Sequence, residues 1–178
     1  GETMYPKNFS TWIEENNISK TLEGRFRPNH FIGVATVVVK LFNIIQPTHA
    51  FFGQKDIQQL KIIQSLICDL NYKIQLVSCK TIRNENGLAL SSRNHFLSSK
   101  ELKNASSIFK GLVLAKELFH GGEIKTKKLK NIILHDWLKT NFFSVEYLEI
   151  VDFDSFKPVK TVTQKSIICC AVLLGKTR

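Results

Sequence analysis

Four residues, Gly53-Gln54-Lys55-Asp56, stand where a short apolar run ends and a helical period begins. In open parallel α/β sheets, ligands bind beyond the carboxyl ends of the strands. A glycine there lets a ligand approach the backbone, the next helix offers unpaired N–H groups to an anion, and Lys55 adds a mobile positive charge. Gln59, four residues after Lys55, points the same way on a helix. These types suit phosphate binding; a surface lysine beside an N-capping aspartate is the plainer alternative. A second run, Leu90-Ser91-Ser92-Arg93-Asn94, offers two hydroxyls and a guanidinium to phosphate oxygens, or is simply a serine-rich approach to a helix. A third, Leu22-Glu23-Gly24-Arg25-Phe26-Arg27-Pro28-Asn29-His30, sets Arg27 and His30 ahead of a helix, with Pro28 stiffening the approach. A lone histidine there reads first as structural. No Ser-His-Asp set, H-E-x-x-H, glycine-rich nucleotide fingerprint or P-loop occurs.

The elements that must position these residues follow from apolar spacing. Residues 31–46 are rich in β-branched types, yet Val34, Val37, Val38, Leu41, Phe42 and Ile45 recur at helical intervals. That predicts a helix with Thr36, Lys40 and Asn43 on its opposite face, closed by Pro47. His49-Ala50-Phe51-Phe52 then reads as a buried strand. Lys55 to Leu70 follows as a helix with Ile57, Leu60, Ile63, Ile67 and Leu70 on one stripe, and Lys73 to Cys79 as a second strand. Strand, helix, strand implies a βαβ unit with a parallel sheet, which brings the two polar loops to one side of it. After a polar stretch from Lys80 to Asn94, the pair Ser98 and Glu101 forms a capping box opening a helix that Gly121-Gly122 ends. Another helix is expected from about Thr126 to Thr140, with Lys127, Lys128, Lys130 and Lys139 on its wet face. Strands around Val145–Val151 and Ile167–Leu174 come last. The pattern therefore changes near residue 95, where a domain boundary is expected.

Composition narrows the class. The 178 residues are 43% hydrophobic and 22% charged, with thirteen phenylalanines, an ordinary globular mixture rather than low-complexity disorder. The longest apolar run, Ile167 to Leu174, is far shorter than the roughly 18 residues a membrane helix needs. A net charge of +10 attracts polyanions, whether nucleic acid, anionic lipid or a small phosphorylated ligand, or it marks a solvated face. The lysines are spread over several elements and no aromatic-basic motif appears, so neither nucleic acid nor membrane is the expected partner. Cys68, Cys79, Cys169 and Cys170 form no C-x-x-C pair and have no histidine at metal-ligand spacing. A reducing, cytoplasmic setting without a protein-bound metal is expected, with Cys169 and Cys170 packed as small hydrophobes.

Three runs, LEGRFRPNHFIGVATVVVKLFNIIQP, FFGQKDIQQL and GLALSSRN, resemble the pantothenate synthetase, or pantoate–β-alanine ligase, family in order and spacing. Glu2-Thr3-Met4-Tyr5-Pro6 ahead of them, and YLEIVD and AVLLGKTR after them, extend the resemblance over essentially the whole chain. It implies an α/β fold. Residues 1–94 would be the latter part of a Rossmann-like nucleotidyl-transferase domain with a parallel sheet. Residues 95–178 would be a small α+β domain with antiparallel strands that closes over the site. It also implies a reaction in two steps, in which pantoate carboxylate attacks the α-phosphorus of ATP to give pantoyl adenylate and pyrophosphate. The amine of β-alanine then displaces AMP. By resemblance, Gly53, Gln54, Lys55 and Asp56 bind ATP, Lys55 neutralising phosphate charge and Gly53 and Asp56 lying near the ribose. Ile82 contacts adenine, and Leu90, Ser91, Ser92 and Arg93 hold the triphosphate, the last three with catalytic weight beside Lys55. Gln59 binds pantoate, Arg27 and His30 line the same cleft, and Mg²⁺ is expected on the nucleotide. A homodimer is the implied assembly.

Departures from the family pattern are few. Asn29 replaces a glycine, Ile32 a common polar or basic residue, and Gln54 a common glutamate. The family's H-x-G-H motif, which holds nucleotide phosphates during adenylation, is absent: none of His30, His49, His95, His120 or His135 belongs to one. With Gly1 in place of an initiator methionine, the chain reads as the second part of the ligase, inactive or nearly so by itself. The alternatives from other classes are a non-catalytic dimerisation or scaffold remnant and a basic nucleic-acid-binding module.

Overall fold

The computed structural model describes residues 3–139 and 142–178. The chain divides into two compact units, Gly1–Cys79 and Lys80–Arg178.

In the first unit, a 3-10 turn at Ile18–Lys20 and the short helix α1 (Glu23–Phe26) lead to α2 (His30–Ile45). Strand β1 (His49–Gly53), a 3-10 turn at Gln54–Asp56, helix α3 (Ile57–Asp69) and strand β2 (Gln75–Cys79) complete it. The strands pair in parallel, His49 opposite Gln75 through Gly53 opposite Cys79, so this is the expected βαβ unit. Ala35, Val38 and Phe42 of α2 pack with Ala50, Ile63 and Leu66 as its core.

Helix α2 begins at Asn29, which holds a left-handed φ of 65°, a conformation asparagine tolerates better than most residues. The buried faces differ from the simple stripes. On α2, Leu41 and Ile45 are exposed, while Thr36 is buried and its hydroxyl accepts the Ile13 N–H at 3.0 Å. On α3, Leu60 and Ile63 are buried as expected, but Leu70 is exposed, and Ile62, Leu66 and Gln58 are buried instead. The chain before α2 lies against these helices and covers faces that a single-stripe reading leaves wet.

The second unit opens on an antiparallel loop in which Arg83 bridges Ala89 and Leu90 N–H donates to Ile82 O at 2.9 Å. Its tip turns through Gly87 at φ 84°, and Asn84 Oδ1 accepts the Asn86 and Leu88 N–H groups. A 3-10 turn at Ser92–Phe96 precedes helix α4 (Ser99–His120), whose capping box is formed in full by Ser98 and Glu101. Helix α5 (Thr126–Leu138) packs Leu129, Ile133 and Trp137 into the core with Ala105 and Ala115. Residue 140, the expected end of this helix, lies outside the described residues. Strands β3 (Phe143–Asp152) and β4 (Ser166–Leu174) pair antiparallel. The register shifts between Val145 and Tyr147, leaving Glu146 as the extra residue of a bulge that turns it to Arg178, at 2.6 Å. The fold is thus α/β, a parallel pair followed by an antiparallel pair.

Candidate functional site

In the first unit, β1 delivers Gly53 to its carboxyl end and the 3-10 turn presents Gln54, Lys55 and Asp56 to solvent. Gly53 has an extended φ of −78°, and a Cβ added there would meet nothing within 4 Å. Neither backbone strain nor packing demands glycine at this point; the space above it is open. Lys55 Nζ lies 3.7 Å from Asp56 Oδ1, a loose pair between two solvated groups. Asp56 occupies the N-cap position of α3, yet its side chain makes no capping bond, so the plainer reading of this turn is not what forms. Gln54 Nε2 donates to Ser78 Oγ at 3.0 Å, fastening the turn to the end of β2. A glutamate there would accept from the same hydroxyl, which explains how either residue serves. Gln59 is half-buried one turn into α3.

Arg27 and His30 are brought together at the start of α2. Arg27 Nη1 lies 3.1 Å from Glu23 Oε1 and 3.1 Å from His30 Nε2. A guanidinium only donates, so His30 Nε2 is the acceptor and the imidazole proton sits on Nδ1.

In the second unit, Ile82 and Leu90 stand opposite each other on the antiparallel loop, both exposed, at 71% and 54%. Two apolar side chains side by side in water make a platform suited to one face of a flat heterocycle. Ser91 follows directly; its Oγ accepts the Arg93 N–H at 3.2 Å, and Ser92 and Arg93 are exposed in the 3-10 turn. Arg93 Nη1 donates to Arg178 O at 3.4 Å, and Asn94 Nδ2 donates to Ala89 O at 3.0 Å, holding the loop closed. Arg83 stacks over Phe109 at 4.0 Å, and partial burial pulls its guanidinium below the usual arginine value. Among the described residues no three His, Cys, Asp or Glu side chains are grouped as a metal site.

Reading by period overlooked Gln58, whose amide is buried among backbone groups of residues 18–23. A polar residue four and eight positions before Ile62 and Leu66 was the available signal. Glu23 was also passed over as the partner of Arg27.

A parallel βαβ unit with an open glycine, a lysine and a helix start at its strand end defines an α/β protein equipped to take an anionic ligand there. Comparison with known proteins narrows this class. The chain belongs to the pantoate-beta-alanine ligase family, whose model its residues 1–178 match. It is 45% identical over 175 residues to the pantothenate synthetase of Caldicellulosiruptor saccharolyticus, covering 98% of this chain and 62% of that protein. To that of Thermotoga neapolitana it is 42% identical over 177 residues, covering 99% and 63%. Among solved structures, the pantothenate synthetase from Thermus thermophilus matches with a TM-score of 0.94 at 33% identity, covering 99% of this chain and 64% of that one. The pantoate-beta-alanine ligase from Francisella tularensis, complexed with beta-gamma ATP and beta-alanine, matches with a TM-score of 0.72 at 28% identity, covering 99% and 59%. The chain thus spans somewhat less than two thirds of the length of these relatives.

Proposed function

We propose that this chain carries part of the machinery of an ATP-dependent ligase that joins pantoate to β-alanine through a pantoyl adenylate. The observation that carries the reading is the family match over residues 1–178, with Gly53 and Lys55 at the open strand end where such chemistry needs them. In the first step a pantoate carboxylate oxygen bonds to the α-phosphorus of ATP and the bond to the pyrophosphate oxygen breaks. In the second the β-alanine nitrogen bonds to the acyl carbon, AMP leaves, and the amine proton passes to solvent.

Substitution at phosphorus is accelerated mainly by alignment and by neutralising charge as it shifts to the leaving oxygens. Lys55 supplies mobile charge for this, with Gly53, Gln54 and Asp56 bordering the nucleotide. Ile82 and Leu90 offer the adenine platform, and Ser91, Ser92 and Arg93 offer hydroxyls and a guanidinium to the triphosphate. Gln59 holds pantoate, and Arg27 and His30 line its side of the site. Mg²⁺ would come with the nucleotide as part of the substrate and would add to the neutralisation of phosphate charge that Lys55 and Arg93 supply. Functionally, residues 1–94 are the nucleotide-binding part and 95–178 the lid. The enzyme is cytoplasmic and homodimeric.

The test is Lys55→Ala in a ligase of the relatives' length carrying these residues. We expect adenylation slower by about 10²-fold or more, the scale of losing one charge-stabilising group, with an unchanged melting temperature. A rate within twofold of wild type removes Lys55 from this role. One observation favours a second reading, a non-catalytic dimerising remnant: the apolar residues Ile44, Ile45 and Phe51 are 64–69% exposed. That reading requires a stable dimer that ignores ATP.

A further inference from the structure

We propose that Gln58 is a positioning residue for the pantoate side of the site, acting through Glu23 and Arg27 on His30. The inference rests on the ligase reading above. Gln58 is 6% exposed, next to Gln59 in α3, and its amide faces the chain that precedes α1. Its Nε2 donates to Ile18 O at 2.8 Å and to Thr21 O at 3.0 Å, and Thr21 Oγ1 lies at 3.3 Å. Its Oε1 accepts the Glu23 N–H at 3.1 Å. Two acceptors and one donor fix the amide's orientation without ambiguity. A buried amide satisfied from three backbone positions some 35 to 40 residues earlier in sequence is a clasp between α3 and the segment that starts α1.

The clasp leads directly to chemistry. Glu23, whose N–H is held by Gln58, places its carboxylate 3.1 Å from Arg27, and Arg27 in turn donates to His30 at 3.1 Å. Arginine only donates, so His30 Nε2 accepts in this contact and Nδ1 is the ring's donor. A guanidinium beside an imidazole is a pair suited to a carboxylate with a neighbouring hydroxyl, which is the chemistry of pantoate. Gln58 therefore sets where that pair stands relative to Gln59, its neighbour on α3.

Pyrophosphate–ATP exchange driven by pantoate tests this in a ligase of the relatives' length, with the KM for pantoate and for ATP measured separately. Gln58→Met keeps the volume and removes every bond. It should raise the pantoate KM tenfold or more, leave the ATP KM within twofold, and add less than twofold to the effect of Arg27→Ala. Should Gln58→Met not fold, Glu23→Gln, which removes the carboxylate charge facing Arg27, must give the same pantoate-selective change. Equal changes in both KM values, a lowered melting temperature with unchanged KM values, or full multiplication with Arg27→Ala overturns the inference while leaving the ligase reading intact. A wild-type enzyme with no pantoate-driven exchange overturns both.

Discussion

At the scale of single residues, Gly53 separates the demands of folding from those of a ligand. Its backbone is extended and the space around a new Cβ is empty, so the fold accepts alanine there. Gly53→Ala should leave the melting temperature unchanged or slightly raised, since alanine reduces the freedom of the unfolded chain. In the proposed ligase the same methyl group blocks close backbone approach, and the KM for ATP should rise severalfold in steady-state kinetics. An unchanged KM for ATP would mean the strand end receives no nucleotide. The cysteines make a second residue-level prediction. Burial pushes the Cys169 thiol up to about 12 and the Cys170 thiol up to about 11, whereas Cys68 and Cys79 are exposed. Because the thiolate is the nucleophile, a thiol reagent at pH 8 should label two cysteines quickly and the other two only on unfolding.

Among the elements, α4 carries its own evidence of what holds it. Gly111 lies mid-helix, where alanine would normally be about 1 kcal/mol better, yet an added Cβ would fall 2.6 Å from Trp137 Nε1 and 3.2 Å from Ile133 Cγ2. Gly111→Ala should therefore destabilise by about 1–3 kcal/mol in denaturant unfolding, because overpacking against the fully buried Trp137 outweighs propensity. At the N-terminus of the same helix, Ser98 holds the Glu101 carboxyl below its ordinary value through two hydrogen bonds. Its folded value is lower than its unfolded one, so the cap's contribution is present above the unfolded value and lost as pH falls through the folded one. The melting-temperature gap between wild type and Glu101→Gln should be constant above about pH 5 and close in acid.

This cap, the βαβ order and the two final strands were legible in the sequence, because each rests on local pattern: a box of fixed spacing, a period, a glycine stop. What the pattern misassigned were faces. Thr36 and Gln58 are polar residues drawn inside by backbone groups of distant chain, Ile13 for one and residues 18–23 for the other. Periodicity has no access to such partners, and it leaves Leu41 and Leu70 on the buried side by default. Among the site residues, Lys55, Gln59 and the Ser91–Arg93 loop could be singled out by type and place alone. The pairing of Arg27 with Glu23 and His30 rests on side-chain placement that no sequence pattern carries.

At the scale of the whole molecule, the net charge of +10 suits the anionic substrates proposed for this chain. Lys128 pairs with Glu123 and Lys130 with Glu149, so part of the basic surface is tied up in ion pairs of its own. The 178 residues hold the turn and loop proposed to bind ATP and pantoate but no H-x-G-H motif. The central claim, that these residues belong to a machine for adenylating pantoate, is tested most directly by pantoate-dependent exchange of labelled pyrophosphate into ATP. It should be run with this chain alone and with the chain joined to an upstream segment from a relative that carries H-x-G-H. The account predicts little or no exchange from the chain alone and clear pantoate-dependent exchange from the joined protein, abolished by Lys55→Ala. A folded joined protein with no exchange would contradict it.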